Sequence, residues 1–337
     1  MGKGSGSGYN GESQPPIRHQ PEGTACMNYV IGIDLGGTQL RAVRIDHTGQ
    51  ILAFERTDTA SASGPPAVIA QIEALIAAVI GDLPPEQISG VGVGVPGPVD
   101  PFAGVVLETP NLHGWFKVPL KTILSERTGL RIEVGNDANV AALGEWRFGS
   151  GRGVRDFIYV TISTGIGGGV VVDGKLLLGR KGIAGEVGHM TIQTDGPLCG
   201  CGNIGCWESL ASGTALARHA AAALERSRPS LIHDLAAGSP IEGWHIAVAA
   251  EKDDEVALAL MQREGELIGV GLVNLLHLYA PERIALGGGV LKSAGLLEPH
   301  FRRVIMDRAM PPYRDTPIGM AVLGDKVGVL GAAALVI

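Results

Sequence analysis

One pattern occurs twice in this chain, and it limits the folds open to it. IDLGGT leads into LRAVRID, the turn HTGQ and then IL. About 130 residues later, ISTGIGGG leads into VVV, the turn DGK and LLLG. Each copy reads as strand, glycine turn, strand, Asp-Gly turn, strand, because runs of Val, Ile and Leu are punctuated by Gly and Asp. Apolar helical stretches separate the copies, so the pattern predicts two related α/β halves. Two such halves facing one another form a cleft, and clefts of this kind are preferred ligand sites.

The remaining segments fit that plan. YVIGIDL predicts a buried strand and ILAFERT the third strand of a meander. Ala67–Ile80 predicts a helix ended by Gly81 and the Pro84–Pro85 pair. GVGVGV at 90–95 is a strand too small-sided to face water. IEVGNDANVAALGEW predicts a strand, a turn and a helix beginning near Asp137. FIYVTIS at 157–163 is a strand, with TGIGGG as the glycine turn after it. Residues 209–280 read as mainly helical, PERIALGGGV as a late strand with a third glycine turn, and GVLGAAALVI as a closing helix. The expected organisation is a small α/β domain from 28–140 plus 323–337, and a large one from 141–322. Residues 1–27, rich in Gly, Ser and Pro, are expected to be a disordered tail or a tag remnant.

Composition removes several function classes. The net charge is −7, so no general attraction to nucleic acid is expected. No apolar run is long enough to span a membrane, and no signal-like segment precedes the fold; a cytoplasmic chain is expected. Aromatics make up only 4%, which disfavours stacking on bases. The 51 glycines are about twice the usual share, and they suggest close approaches between backbone and ligand.

The glycine turns carry the first chemical signal. Asp34-Leu35-Gly36-Gly37-Thr38 and Thr164-Gly165-Ile166-Gly167-Gly168-Gly169 both sit between strands. Without Cβ atoms, such loops can close backbone N–H groups around phosphate oxygens. Thr38 and Thr164 add hydroxyls, and Asp34 can hold magnesium directly or through water. An ordinary Gly-Gly hairpin explains either loop alone. Two of them at equivalent points of a repeat, with Gly287-Gly288-Gly289 after a third strand, point to a nucleotide. Gly92-Val93-Gly94-Val95-Pro96-Gly97 matches a dinucleotide fingerprint literally, but the prolines that follow leave no helix to receive a pyrophosphate. Lys292-Ser293 resembles the end of a P-loop, yet Leu286 and Leu291 occupy the positions of its glycines.

Asp137, in Gly135-Asn136-Asp137-Ala138-Asn139, lies at a strand-to-helix junction. There it can act as a general base or simply cap the helix. Further along, His189, Cys199, Cys201 and Cys206 form a Cys3His set suited to one tetrahedral zinc ion with a structural role. The spacing is not that of a DNA-docking finger. The zinc would fix the segment carrying Glu186, His189 and Glu208, and it would orient the His189 ring.

Taken together, these residues resemble the ROK family (repressor, open reading frame, kinase) of the actin/hexokinase-like superfamily, over essentially all of 28–337. The motifs are DLGGTQLR at 34–41, VPGPVD at 95–100, ETPNLHGW at 108–115, GNDAN at 135–139, STGIGGG at 163–169, EVGH at 186–189, CGCGNIGCWE at 199–208 and LGGGV at 286–290. The resemblance implies duplicated ribonuclease H-like domains flanking a cleft. It implies ATP-dependent phosphorylation of a hexose, glucose before N-acetylmannosamine, N-acetylglucosamine or fructose, with ATP, Mg2+ and structural Zn2+ bound. Asp137 would be the general base, and Asn111, Asn136, Glu186, His189 and Glu208 the sugar contacts. Asp34, Gly36, Gly37, Thr38, Thr164, Gly165 and Gly167 would grip the phosphates, with Gly287 and Gly288 on the adenosine side. His189, Cys199, Cys201 and Cys206 would hold the zinc. A homodimer or homotetramer is implied, with no nucleic-acid or membrane partner. The family's sugar-sensing repressors carry an N-terminal winged helix, for which residues 1–26 show no pattern.

Overall fold

The computed structural model describes residues 28–109, 111–225 and 229–337; the expected tail at 1–27 lies outside the described residues. The first sheet is built from β1 (Tyr29–Leu35), β2 (Gln39–Ile45), β3 (Ile51–Asp58), β4 (Ile88–Val95) and, further on, β8 (Ile132–Asn136). Between β4 and β8 lies a small three-stranded sheet of β5 (Val99–Asp100), β6 (Val105–Glu108) and β7 (Phe116–Val118). The second large sheet contains β9 (Phe157–Ile162), β10 (Ile166–Val172), β11 (Lys175–Leu176), β12 (Arg283–Gly287) and β13 (Ile318–Met320). Strand orders β3-β2-β1-β4-β8 and β11-β10-β9-β12-β13 are equivalent. In each, the first strand pairs antiparallel with the second and parallel with the fourth. The sequence repeat is thus a repeat of sheet topology.

Helices cover the outer faces. α1 (Pro65–Ile80), started by prolines in its first turn, and α2 (Leu120–Thr128) pack on the first sheet through Ile69, Ile72, Ile76 and Leu124. On the second sheet lie α4 (Trp207–Ala211), α5 (Gly213–Leu224), α6 (Leu231–Ala236), α7 (Gly243–Ala250), α8 (Glu255–Tyr279) and α9 (Ala294–Arg308).

The two remaining helices, α3 (Asp137–Phe148) and α10 (Val327–Ala334), lie between the halves. α10 packs its Val329, Leu330 and Ala333 with Val30, Val43 and Ile45 of the first sheet. α3 packs Ala141 and Ala142 with Phe157, Tyr159 and Val171 of the second. The helices also touch one another. A Cβ on Gly331 would stand 1.9 Å from the Val140 carbonyl, and one on Gly144 would stand 2.9 Å from the Gly331 backbone. The approach to the sheet is equally close: Cβ atoms on Gly32 and Gly92 would meet the Val329 and Ala332 carbonyls at 2.0 and 1.7 Å. The small-sided GVGVGV strand is therefore the seat of α10. This packing also corrects the expectation for TGIGGG. Only residues 163–165 turn; Gly167, Gly168 and Gly169 belong to β10, opposite Thr161, Val160 and Tyr159. Gly167 and Gly169 share the face on which Ala138 and Ala142 of α3 rest.

The start of α3 decides where Asp137 points. Asn136 is the cap: its side-chain oxygen accepts from the N–H groups of Ala138 and Asn139 at 3.0 and 3.2 Å. Its amide donates to the Gly97 carbonyl and to the Asp137 carboxylate, each at 3.0 Å. Asp137, one residue later, is freed from capping. Asn136→Ala should therefore cost about 1–2 kcal/mol in denaturant unfolding, and Asp137→Ala less than about 0.5 kcal/mol. Equal losses for the two variants would return the capping role to Asp137.

Candidate active site

The ends of β1, β8, β9 and β12 converge on the cleft. Asp34 is paired with Arg41 across the β1–β2 ladder, and Gly36 donates its N–H to the Gln39 carbonyl at 2.9 Å, closing the first glycine turn. Gly37 has no side chain because Asn111 lies against it; a Cβ there would be 2.8 Å from the Asn111 Cβ. The expected phosphate turn and an expected sugar contact are thus adjacent. The first turn of α10 presses on Asp34 as well, with a Cβ on Gly328 reaching 2.6 Å from the Asp34 carboxyl carbon. Partial loss of hydration raises the Asp34 pKa, and Arg41 opposes that rise.

Asp137 is open to the cleft, yet the protein surrounding its carboxyl strips enough hydration to push the pKa up to about 6. The negative charges of Asp34 and Glu186 add to the rise, while the Ala138 N–H at 2.8 Å and the Asn136 amide restrain it. Asp137 therefore senses two acids from two other segments. A carboxylate with a pKa near neutrality is suited to accepting a proton during a reaction.

The second glycine turn is held from below. The Ser163 N–H donates to the Gly165 carbonyl at 2.8 Å. Gly213 N–H and the Thr214 hydroxyl donate to the Ser163 and Thr164 carbonyls at 2.7 and 2.8 Å. Glu208 accepts the Ile166 N–H at 2.9 Å and occupies the space a Cβ on Gly165 would need. Beside this turn, Gly288 adopts φ +95° against the Ile162 carbonyl, and Gly287 backs onto the Tyr159 hydroxyl. The neighbouring cavity, about 700 Å³, is lined by Thr164, Thr214, Glu242, Trp244, Gly289 and Lys292 among others. Of these, Thr214, Glu242, Trp244 and Lys292 were not singled out as site residues. One signal that could have found them is an isolated Trp244 beside Gly243 in a helical stretch. Its indole N–H donates to Glu242 at 3.1 Å and its ring lies 3.8 Å from that of His245.

His189, Cys199, Cys201 and Cys206 also converge, with their ligand atoms all within 4.8 Å of one another. Two short ladder bridges, Thr191 to Cys206 and Leu198 to Ile204, shape the loop. Tetrahedral zinc with ordinary bond lengths separates two sulfurs by about 3.8 Å, and a sulfur from a nitrogen by about 3.5 Å. The observed values are 3.7 Å for Cys201 to Cys206 and 3.6 Å for Cys199 to His189 Nδ1. A disulfide would need about 2.05 Å. The donor set therefore fits a thiophilic tetrahedral ion. With Nδ1 turned to the sulfurs, the other ring nitrogen of His189 is left for a different partner. Glu208 joins this cluster to the second glycine turn, since its other oxygen lies 3.8 Å from the Cys199 sulfur.

Two of the residues expected to contact sugar carry protein bonds. Asn136 spends both amide protons and its oxygen on the β8–α3 junction. Glu208 spends one oxygen on Ile166. Gly167, expected in the phosphate grip, lies in β10, where it also makes room for α3.

The chain matches the ROK family model over residues 30–337. It is 36% identical over 310 residues to a glucokinase of Thermotoga maritima, covering 91% of this chain and 96% of that one. A ROK family glucokinase of Streptomyces griseus, solved with glucose and AMPPNP, superposes with a TM-score of 0.74 at 37% identity, covering 91% of this chain and 99% of that chain. A xylose repressor of Caldicellulosiruptor bescii is 32% identical over 311 residues, 91% of this chain and 78% of the repressor. A family match over residues 30–337, with full-length relatives at this identity, means that this chain belongs to the ROK family.

Proposed function

We propose that the protein transfers the γ-phosphoryl group of ATP to glucose, giving glucose 6-phosphate and ADP. The observation that carries this reading is a high-pKa Asp137 within electrostatic reach of Asp34, which sits near the end of β1 just before the first glycine turn. Relatives that match over nearly their full length are glucokinases. The halves are 28–140 with 323–337, and 141–322; the seat of α10 on the first sheet supports assigning the C-terminal segment to the first half.

In this reading the sugar lies between Asn111, Glu186, His189 and Glu208, whose carboxylates, amide and ring nitrogen suit hydroxyls that both donate and accept. Asn136 contributes chiefly by holding Asp137. The triphosphate is gripped by Gly36, Gly37 and Thr38 on one side and by Thr164 and Gly165 on the other. The adenosine extends past Gly287 and Gly288 into the cavity beside Trp244. Asp34 offers hard oxygen ligands that fit Mg2+, which supplies charge neutralisation at the phosphates when bound. The Asp137 carboxylate takes the proton of the sugar hydroxyl as its oxygen bonds to the γ-phosphorus. The bond from that phosphorus to the β–γ bridging oxygen breaks, and ADP leaves. The proton then passes to solvent. Closure of the halves around the sugar would exclude water as a competing acceptor.

A base must be ionised to act. The rate should therefore climb as pH rises through about 6 and level off above it. Asp137→Asn should lower kcat by about 10²–10⁴ and erase this acidic limb, with glucose affinity by calorimetry nearly intact. A folded Asp137→Asn protein with kcat within about tenfold of wild type would show that the base is another group.

The Cys3His loop holds one structural zinc in this reading, through His189, Cys199, Cys201 and Cys206. Elemental analysis should find about one zinc per chain. Cys201→Ala should lose the metal and raise the KM for glucose, because His189 and Glu208 lose their anchor. A folded, active preparation free of zinc would contradict the assignment.

A further inference from the structure

Glu145 lies on the last turn of α3, eight residues from Asp137, and is fully buried. Its carboxylate collects four donors. One oxygen accepts the Ser150 N–H at 2.9 Å and the Ser150 hydroxyl at 2.7 Å. The other accepts the N–H groups of Val322 and Leu323 at 2.9 and 2.7 Å. No cation is among these partners; the carboxylate is met by four neutral donors. The site is fitted closely, since a Cβ on Gly149 would stand 2.3 Å from the carboxylate.

What these partners belong to gives the cluster its meaning. Ser150 follows α3, and its carbonyl accepts from Arg283 at the start of β12 in the second sheet. Val322 and Leu323 lie where the chain leaves β13 of the second sheet for α10 on the first. A few residues later, Gly328 of α10 presses on Asp34, while the opposite end of α3 presents Asp137. One carboxylate thus ties both interdomain helices to the edge of the second sheet, and each helix bears on one acid of the site.

We propose that Glu145 is a positioning residue for phosphoryl transfer: its four-donor carboxylate fixes α3 against the crossing into α10 and thereby sets Asp137 relative to Asp34. The proposal rests on the kinase reading above and adds to it a residue that touches no substrate. Placement of reacting groups is sensitive, and an error of about 1 Å can cost about 10²-fold in rate. Glu145→Gln keeps the volume but turns an NH2 group toward one pair of donors, so two of the four lose their acceptor. Ser150→Ala removes the hydroxyl donor alone and leaves the other three bonds.

The test measures kcat, KM for glucose and KM for ATP for the zinc-loaded full chain, with the folded fraction at assay temperature taken from circular dichroism. Glu145→Gln should lower kcat per folded molecule by about ten- to a hundredfold, with both KM values within about threefold of wild type. The acidic limb of its pH profile should move, because Asp137 no longer keeps its distance from Asp34. Ser150→Ala should lower kcat by about two- to fivefold in the same pattern. A merely structural role predicts a lower melting temperature, an unmoved limb and unchanged kcat per folded molecule; that result overturns the proposal. If Glu145→Gln does not fold, Ser150→Ala decides, and wild-type kcat in that variant overturns it. Wild-type protein that phosphorylates no hexose would overturn the kinase reading and the proposal with it, whereas failure of the proposal alone appears only in the ratio of variant to wild type.

Discussion

The contact between α3 and α10 is the constraint on which the rest of the structure depends. Each helix sits on the inner face of one sheet, and the two sheets meet only as closely as the helices do. The approach is limited by backbone, not side chains: Gly331 meets the Val140 carbonyl, and Gly32 and Gly92 admit α10 to the first sheet. Glycines are costly in strands and helices because they lose the most conformational freedom on folding. Their presence at these positions is explained by what a Cβ would strike. The closeness matters to the site because α3 begins at Asp137 and α10 begins beside Asp34.

Electrostatics follow from that geometry. Asp34 and Glu186 come from segments other than that of Asp137, and their charges raise the energy of its ionised form. Such crowding is unfavourable for folding, and the structure tolerates it where cation and phosphate chemistry is proposed to occur. Arg41 offsets part of it from the neighbouring strand, and the Asn136 amide steadies Asp137. On the opposite side of the cleft, Glu208 links the cysteine loop to the second glycine turn, so the two expected ligand regions share one carboxylate.

Much of this was legible in the sequence because the repeat is carried by local chemistry. Strand periodicity, Gly and Asp turns and the clustered cysteines are short-range signals, and the two five-stranded sheets follow the repeat that IDLGGT and ISTGIGGG announce. The pairing of Asp34, Asp137, Glu186 and the cysteine loop within one cleft came from the family resemblance. What could not be read were features that depend on long-range packing. A glycine that turns the chain and a glycine that admits a helix look alike in sequence, so the run TGIGGG reads as one turn although Gly167 belongs to β10. Asn136 and Asp137 are both good caps by type, and only the backbone path shows that Asn136 takes the role. Glu145 carries no local motif at all; its partners at Ser150, Val322 and Leu323 are up to 178 positions away.

The central claim is that the cleft couples ATP to a sugar hydroxyl, and product stoichiometry tests it most directly. Zinc-loaded protein would be incubated with MgATP and a panel of hexoses, with ADP and sugar phosphate quantified in the same sample. The account predicts one ADP per glucose 6-phosphate, little ADP when sugar is omitted, and faster turnover with glucose than with N-acetylmannosamine, N-acetylglucosamine or fructose. ADP release that is indifferent to sugar, or folded protein that phosphorylates none of these hexoses, would contradict it.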